Sequence, residues 1–368
     1  MRIGVMLRHY DQHGGGVKVY TRQLIDAMLA LEPRHEFVFL YSNASRVGTY
    51  GRYGNVREVA VPGKSVPWWD QVGVPAAVRQ HGIDVLYNPK YSIPLRISEP
   101  SAWVCHGLDW YVMPQASRWI DRLSHRFLVP RYAAKARAII AVSEITREHV
   151  MQYLRVAPDK VHTIYSGVSP SYGVSWEEER LQAARLKYRL PAQFFLYAGA
   201  IYPPKNFTRL VRAYAKVGPS RGIPLVIAGG ENRFLSAEEL GEPQRLGIAD
   251  WVKWVGWVDT DTLPAFYQMA TALLLPSLFE SFGLPVLEAM AAGCPVVTAD
   301  RYGTLEIARD AAVLVNPDSE DAIAQGIVAV LEDGALRERL ISAGRERVRE
   351  FTWDRCARQT LAVLEQIA

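Results

Sequence analysis

A chain of 368 residues with 49% hydrophobic and 22% charged residues is long enough for two domains of ordinary size and too apolar to be disordered. Its formal charge of +4 is too mild to argue for nucleic acid, but it permits contact with anionic lipid where basic residues cluster. Cys105, Cys294 and Cys356 are widely separated, show no metal-ligand spacing, and fit buried apolar roles in a reducing compartment.

Met1–Leu7 reads as a short strand rather than a secretory signal, because Arg8, His9 and Asp11 follow it. No apolar run approaches the length of a membrane span, so the expectation is a cytoplasmic protein with any membrane contact peripheral. Strand-like runs are read at Arg2–Leu7, Phe37–Tyr41, Val56–Val61, Val85–Tyr87, Ala102–Cys105 and Ala138–Val142. Gly14-Gly15-Gly16 separates the first of these from a helical pattern in Val19, Leu24, Ile25, Met28, Leu29 and Leu31. Glycines there let backbone approach a ligand closely, or simply form a flexible loop, and the full G-x-G-x-x-G spacing is absent. His106 stands just past a strand end, the side of an open parallel sheet where ligands bind, though a lone histidine is more often structural. From Arg118 to Leu128, arginines at 118, 122 and 126 interleave with large apolar side chains at helical spacing. That pattern fits a partly buried helix with a solvated basic face, or a helix lying on a membrane surface.

Ser166–Gly173, rich in turn formers, marks the start of a linker. A second strand series follows at Phe194–Ala198, Pro224–Ala228, Val252–Val255, Ala272–Leu275, Pro295–Thr298 and Ala312–Val315. Strands alternating with helical patterns throughout predict an α/β protein of two doubly wound, Rossmann-like domains. The boundaries expected are 1–170, 171–352 and a final helix over 353–368. Lys205 sits at a strand-to-helix turn after Gly199, placed to meet an anion or to stand as an ordinary surface lysine. Asp259-Thr260-Asp261 spells a D-x-D metal motif but leads directly into Thr262–Tyr267, so an acidic helix start is the better reading. The run Arg337–Glu350 is read as a solvated amphipathic helix with Leu340, Ile341 and Val348 inside.

The most specific stretch is Glu280-Ser281-Phe282-Gly283-Leu284-Pro285-Val286-Leu287-Glu288. A buried strand precedes it, and Pro285, at the expected first helical position, opens an apolar helix. The N–H groups of Gly283 and Leu284 then point out of a helix N-terminus, a natural seat for a diphosphate. Glu288 follows about one turn, roughly 5 Å, along the helix, within reach of a ribose, and Glu280 lies on the other side, near any group attached beyond the phosphates.

This segment, with the small-residue run Ala289–Val297, resembles the E-x-F-G-x-x-x-x-E signature of retaining GT-B glycosyltransferases, in particular glycosyltransferase family 4. The resemblance extends from Gly15 to the final helix. It implies two domains facing a central cleft, an N-terminal acceptor side, a C-terminal nucleotide-sugar side and a last helix crossing back to the N-terminal domain. It implies donor contacts at Gly15, Gly16, Gly199, Lys205, Gly256, Trp257, Phe282, Gly283, Leu284 and Glu288, with Glu280, His106 and Lys205 around the reacting sugar. Ala200 and Pro204 stand where arginines are frequent in the family, which leaves Lys205 and the helix dipole to meet the leaving diphosphate. Asp stands in many relatives where this chain has Gly107, and Asp109 lies two residues on. Trp68, Trp69 and Tyr91 offer either stacking surface for a sugar acceptor or core.

The resulting expectation is metal-independent hexose transfer, mannose-like or glucose-like, to a glycan or lipid-linked hydroxyl, with no cofactor and with GDP-mannose or a UDP-hexose as donor. Cell-surface polysaccharide or glycolipid synthesis is the setting the resemblance implies. A phosphorylase or sugar-nucleotide hydrolase, and a catalytically idle binding subunit, stand as alternatives. A dehydrogenase is disfavoured by the missing dinucleotide fingerprint.

Overall fold

The computed structural model of the chain describes residues 1–11, 15–31, 34–63, 65–116, 119–230 and 237–368. Gly14 and Arg118, both singled out from the sequence, lie outside the described residues. The chain forms two compact units, one made of Met1–Gly167 with Trp353–Ala368 and the other of Val168–Thr352.

In the first unit the strands are β1 (Arg2–Met6), β2 (Glu36–Tyr41), β3 (Val56–Ala60), β4 (Val85–Asn88), β5 (Ser101–Cys105), β6 (Ala138–Ala141) and β7 (Val161–Thr163). They pair all-parallel in the order β3-β2-β1-β4-β5-β6-β7. Strands buried on both faces by crossover helices carry unbroken apolar runs, and β4, β5 and β6 are buried along their whole length. The edge strand β7 was not predicted: it is three residues long and has two half-buried positions, too short and too polar for a periodic signal. The helix Trp353–Ile367 packs in this unit beside helix Gly16–Ala30, with Trp353, Cys356, Ala357, Thr360 and Leu364 buried.

The second unit holds β8 (Phe195–Ala198), β9 (Leu225–Ala228), β10 (Val252–Gly256), β11 (Ala272–Leu275), β12 (Val296–Ala299) and β13 (Val313–Val315). Their order is β10-β9-β8-β11-β12-β13, again all-parallel. Each sheet thus reverses its direction of growth once, at β1/β4 and at β8/β11. Crossover helices leave to opposite faces on either side of that point, and the gap between them at the carboxyl ends of the strands is where ligands bind in open α/β sheets.

Three local readings need correction. Pro285 is the second residue of helix Leu284–Ala291, because Gly283 at φ 106° takes the cap. In helix Gly334–Arg347, Ile341 and the following Val348 are only half-buried, whereas Arg347 is 8% exposed. Its guanidinium donates to the carbonyls of Ile307 (3.0 Å) and Glu306 (3.1 Å) and pairs with Glu350 at 2.6 Å, so a charged side chain enters the interior by meeting backbone acceptors. Asp259 does not cap the next helix through its carboxylate, which instead pairs with Lys187 at 3.2 Å. Its carbonyl receives the N–H groups of Thr262 and Leu263.

Candidate active site

The carboxyl ends of β8 and β11 bring Lys205 and Glu280 together, 75 residues apart in sequence. The Lys205 ammonium donates to Glu280 Oε1, and both residues are buried, 7% and 9% exposed. Ser277 Oγ donates to the same carboxylate oxygen at 3.0 Å. Backbone contacts set this register: the Pro204 carbonyl accepts from the N–H of Leu278 (2.7 Å) and Phe279 (3.3 Å). Asn206, in the left-handed region at φ 60°, donates through Nδ2 to the carbonyls of Pro276 (2.9 Å) and Pro317 (2.7 Å). One buried amide therefore ties together the turns that follow β8, β11 and β13. Pro204, marked in the sequence only as a missing arginine, serves as a backbone acceptor.

The Phe282-Gly283-Leu284 turn is held from the opposite side by Gly303, whose N–H donates to the Glu280 carbonyl at 2.9 Å. A Cβ on Gly303 would lie 2.6 Å from Phe282 N, so only glycine permits that approach. Phe282 is buried, edge-on to Phe351 at 6.0 Å, and acts as an anchor that fixes the turn. Gly283 then starts the helix, whose first N–H groups have no intrahelical acceptors.

Glu288 lies one turn further on. Tyr267 Oη donates to its Oε2 at 2.8 Å, and Tyr172 bonds the same carboxylate. Burial raises the Glu288 carboxyl above the usual range, while the two tyrosines and the Lys205 charge oppose that rise. Ser277, Asn206, Tyr172 and Tyr267 escaped the sequence reading. The available signals were a Lys-Asn pair at a strand-to-helix turn, where Asn tolerates the left-handed region, and little else.

Gly199 (φ 127°) leaves β8, and its N–H donates to the Ala228 carbonyl at 2.9 Å. Gly256 (φ 70°) ends β10, and its carbonyl accepts from Gly229 N–H at 2.9 Å. Trp257, next in the chain, is 55% exposed. Lys205, Glu280, Gly199, Gly256, Trp257, Phe282, Gly283, Leu284 and Glu288 thus all lie in the second unit, around the carboxyl ends of its strands.

Gly15, Gly16 and His106 belong to the first unit. Gly15 caps helix Gly16–Ala30 at φ 97°, a conformation open to glycine at no steric cost. His106 follows β5, donates from Nε2–H to the Pro89 carbonyl at 2.7 Å and meets the Tyr20 ring edge-on at 4.7 Å. Burial pushes its pKa down to about 4, so the imidazole is neutral at pH 7. Lys90, at the end of β4, is brought down to about 8 by burial and by the Arg8 charge, against a nearby Asp109. Arg8, after β1, faces the buried Asp70 at 3.5 Å. Arg8, Lys90 and His106 therefore share the carboxyl edge of three adjacent strands, two of which flank the reversal point. Trp69 is core, with its indole N–H on the Val61 carbonyl at 3.0 Å, whereas Trp68 is 39% exposed and Tyr91 half-buried against Trp110 and His125. Among the described residues, no group of three His, Cys, Asp or Glu side chains is arranged to hold a metal ion, and no helix is long and apolar enough to cross a membrane.

Two parallel Rossmann-like sheets, each with polar side chains gathered at the carboxyl ends of its strands, are the architecture of the GT-B glycosyltransferases. Solved structures share this fold over essentially the whole chain. Sucrose-phosphate synthase from Thermosynechococcus elongatus matches with a TM-score of 0.79 at 23% identity, covering 99% of this chain and 98% of that one. HepE of Anabaena, solved in complex with UDP-glucose, matches with a TM-score of 0.79 at 18% identity, covering 100% of both. The chain belongs to the family 4 glycosyltransferases: residues 14–172 match the model described as Glycosyltransferase Family 4 and residues 180–347 the one described as Glycosyl transferases group 1. Similar curated proteins include the O-antigen chain mannosyltransferase B of Escherichia coli, 28% identical over 77% of this chain and 75% of the relative. The D-inositol 3-phosphate glycosyltransferase of Jonesia denitrificans is 29% identical over 96% and 91%.

Proposed function

We propose that this glycosyltransferase moves a hexose, mannose-like or glucose-like, from a nucleoside diphosphate sugar to a hydroxyl of a glycan or lipid-linked acceptor, with retention at the anomeric carbon and without a metal ion. The observation that carries the reading is the Lys205–Glu280 pair at the β8/β11 reversal point, with Glu288 one helical turn beyond Gly283. A mannosyltransferase and a glycosyltransferase among the similar curated proteins, and a UDP-glucose complex among the similar structures, support the donor class. In this proposal Glu288 accepts from the ribose hydroxyls. Lys205 and the helix N-terminus at Gly283 and Leu284 meet the diphosphate, and Gly199, Gly256 and Trp257 border the remainder of the donor. Gly15, Gly16 and His106, in the other unit, keep the roles that the family resemblance gives them.

The bond from the anomeric carbon to the phosphate oxygen breaks, the bond to the acceptor oxygen forms on the same face, and the leaving phosphate takes the acceptor's proton. A cation and a helix N-terminus aimed at the leaving group lower that barrier by stabilising charge as it develops. Glu280 positions the sugar and, once the diphosphate draws Lys205 away, stabilises positive charge at the anomeric carbon. A neutral His106 suits hydrogen bonding to sugar hydroxyls better than proton transfer. Polysaccharide or glycolipid assembly on the cytoplasmic side of a membrane is the setting proposed.

Thermal stabilisation by a panel of GDP, UDP and their hexoses, with chelator present, tests the reading. A nucleotide held at a hundred times its dissociation constant adds about 2.7 kcal/mol. The expected result is a shift confined to one base, insensitive to chelator and weakened in Glu288→Gln. A nucleotide-binding chain that releases free sugar without acceptor would be a hydrolase. One that binds without turnover over many acceptors would be an idle binding subunit. No shift with any nucleotide would overturn the donor site itself.

A further inference from the structure

Helix Trp119–Lys135 in the first unit is anchored along one side only. Leu128, Val129, Tyr132 and Ala133 pack into the unit's core, and His125 lies against Trp110 at 4.4 Å. Its first turns carry Trp119, Ile120, Leu123 and Phe127 outward, 66%, 53%, 63% and 57% exposed. At about 100° per residue these four fall within a single arc of roughly 100°, with Arg122 and Arg126 along one edge and Arg131 along the other. The arginines are held in place: Arg122 donates to the Pro114 carbonyl at 2.9 Å, Arg126 lies over the Tyr111 ring at 5.2 Å, and Arg131 lies over the Phe127 ring at 3.5 Å. Asp121, the acid in the first turn, sits on the opposite side of the helix from the stripe by the same periodicity.

We infer that this stripe is a docking surface for the headgroup layer of an anionic bilayer, with Trp119, Ile120, Leu123 and Phe127 entering the acyl boundary and the flanking arginines meeting lipid phosphates. An apolar wedge bordered on both edges by arginine is complementary to a layer that is apolar within and negatively charged above. A second copy of the chain is a poor fit, since it would set arginines against arginines. Four partly exposed side chains offer only a few hundred Å², against the roughly 800 Å² per partner of a stable protein interface. Insertion into a bilayer has no such threshold. The inference stands apart from the donor-site reading, and its test uses no nucleotide.

The full-length chain is floated with vesicles of phosphatidylcholine alone or mixed in equal parts with phosphatidylglycerol. Flotation is expected with the anionic vesicles, to be weakened by salt, to fall about fivefold for each of Arg126→Gln and Arg131→Gln, and to be lost in Trp119→Ser/Phe127→Ser. Those side chains are exposed, so an unchanged melting temperature certifies that the variants fold. Equal binding to neutral vesicles, or undiminished binding by the serine variant, overturns the inference. So does an absence of flotation, and if the chain then self-associates in sedimentation and Leu123→Glu abolishes this, the stripe belongs to a second copy.

Discussion

At the residue scale, the Lys205–Glu280 pair poses a question of charge economy. Two ionised groups are nearly out of water before any ligand arrives, and such a pair holds only while both partners are present. Removing one leaves the other stranded. Glu280→Gln or Lys205→Met alone is therefore expected to destabilise the second unit by about 3–5 kcal/mol, while the double replacement costs less than the sum by about 0.5–3 kcal/mol. Urea denaturation of the four proteins in the cycle measures it, and strictly additive costs would show that the contact carries no coupling. The pair also holds Lys205 in register beside Pro204, with Ala200 earlier in the same turn. Ser277 and the Asn206 staple fix the two turns, so under the proposed function the ammonium is already aimed for a diphosphate that competes with Glu280.

At the element scale, the site depends on glycines that let backbone segments touch. A Cβ on Gly229 would fall 1.8 Å from the Gly199 carbonyl oxygen, whereas one on Gly230 meets nothing within 4 Å. Gly199 opens the turn that carries Lys205, so Gly229→Ala is expected to displace that turn, costing about 1–3 kcal/mol of stability by overpacking and weakening nucleotide binding at least tenfold. Gly230→Ala is the matched control and should leave both unchanged. Melting temperature and nucleotide affinity decide it, and equal behaviour of the two variants would show that the close approach is not maintained in solution.

For the whole molecule, the first unit is completed by the last sixteen residues of the chain, Trp353–Ala368. Trp353 packs edge-on to Tyr20 at 5.6 Å, and Leu361, Val363 and Leu364 are buried with it. Each large apolar side chain contributes about 1.5–3 kcal/mol, and together they rival the 5–15 kcal/mol by which a typical domain is stable. A chain ending at Thr352 is expected to lose the first unit's cooperative melting while Val168–Thr352 keeps its own transition. Calorimetry distinguishes this from uniform destabilisation, which would mean that the helix supports both units.

The α/β class, twelve of the strands and the Glu280–Glu288 turn were legible in the sequence. They rest on local rules: apolar runs of strand length, a glycine where positive φ is needed, a proline near a helix start. The helical stripe from Trp119 was legible as a pattern, but whether its apolar side faced core or solvent depended on what packs against it. The same holds for Arg347, which looked solvated until two carbonyls at the end of the distant helix Tyr302–Ala308 received it. Lys205 meeting Glu280, Asn206 joining three turns, and Tyr172 and Tyr267 flanking Glu288 are matters of sheet order. The sequence by itself determined which segments become strands and helices and where glycine must stand, because those depend on residues within a few positions of one another. Only the tertiary structure decided which strand ends lie side by side and which charges share a buried oxygen, because strand order is set by the packing of crossover helices over the entire sheet.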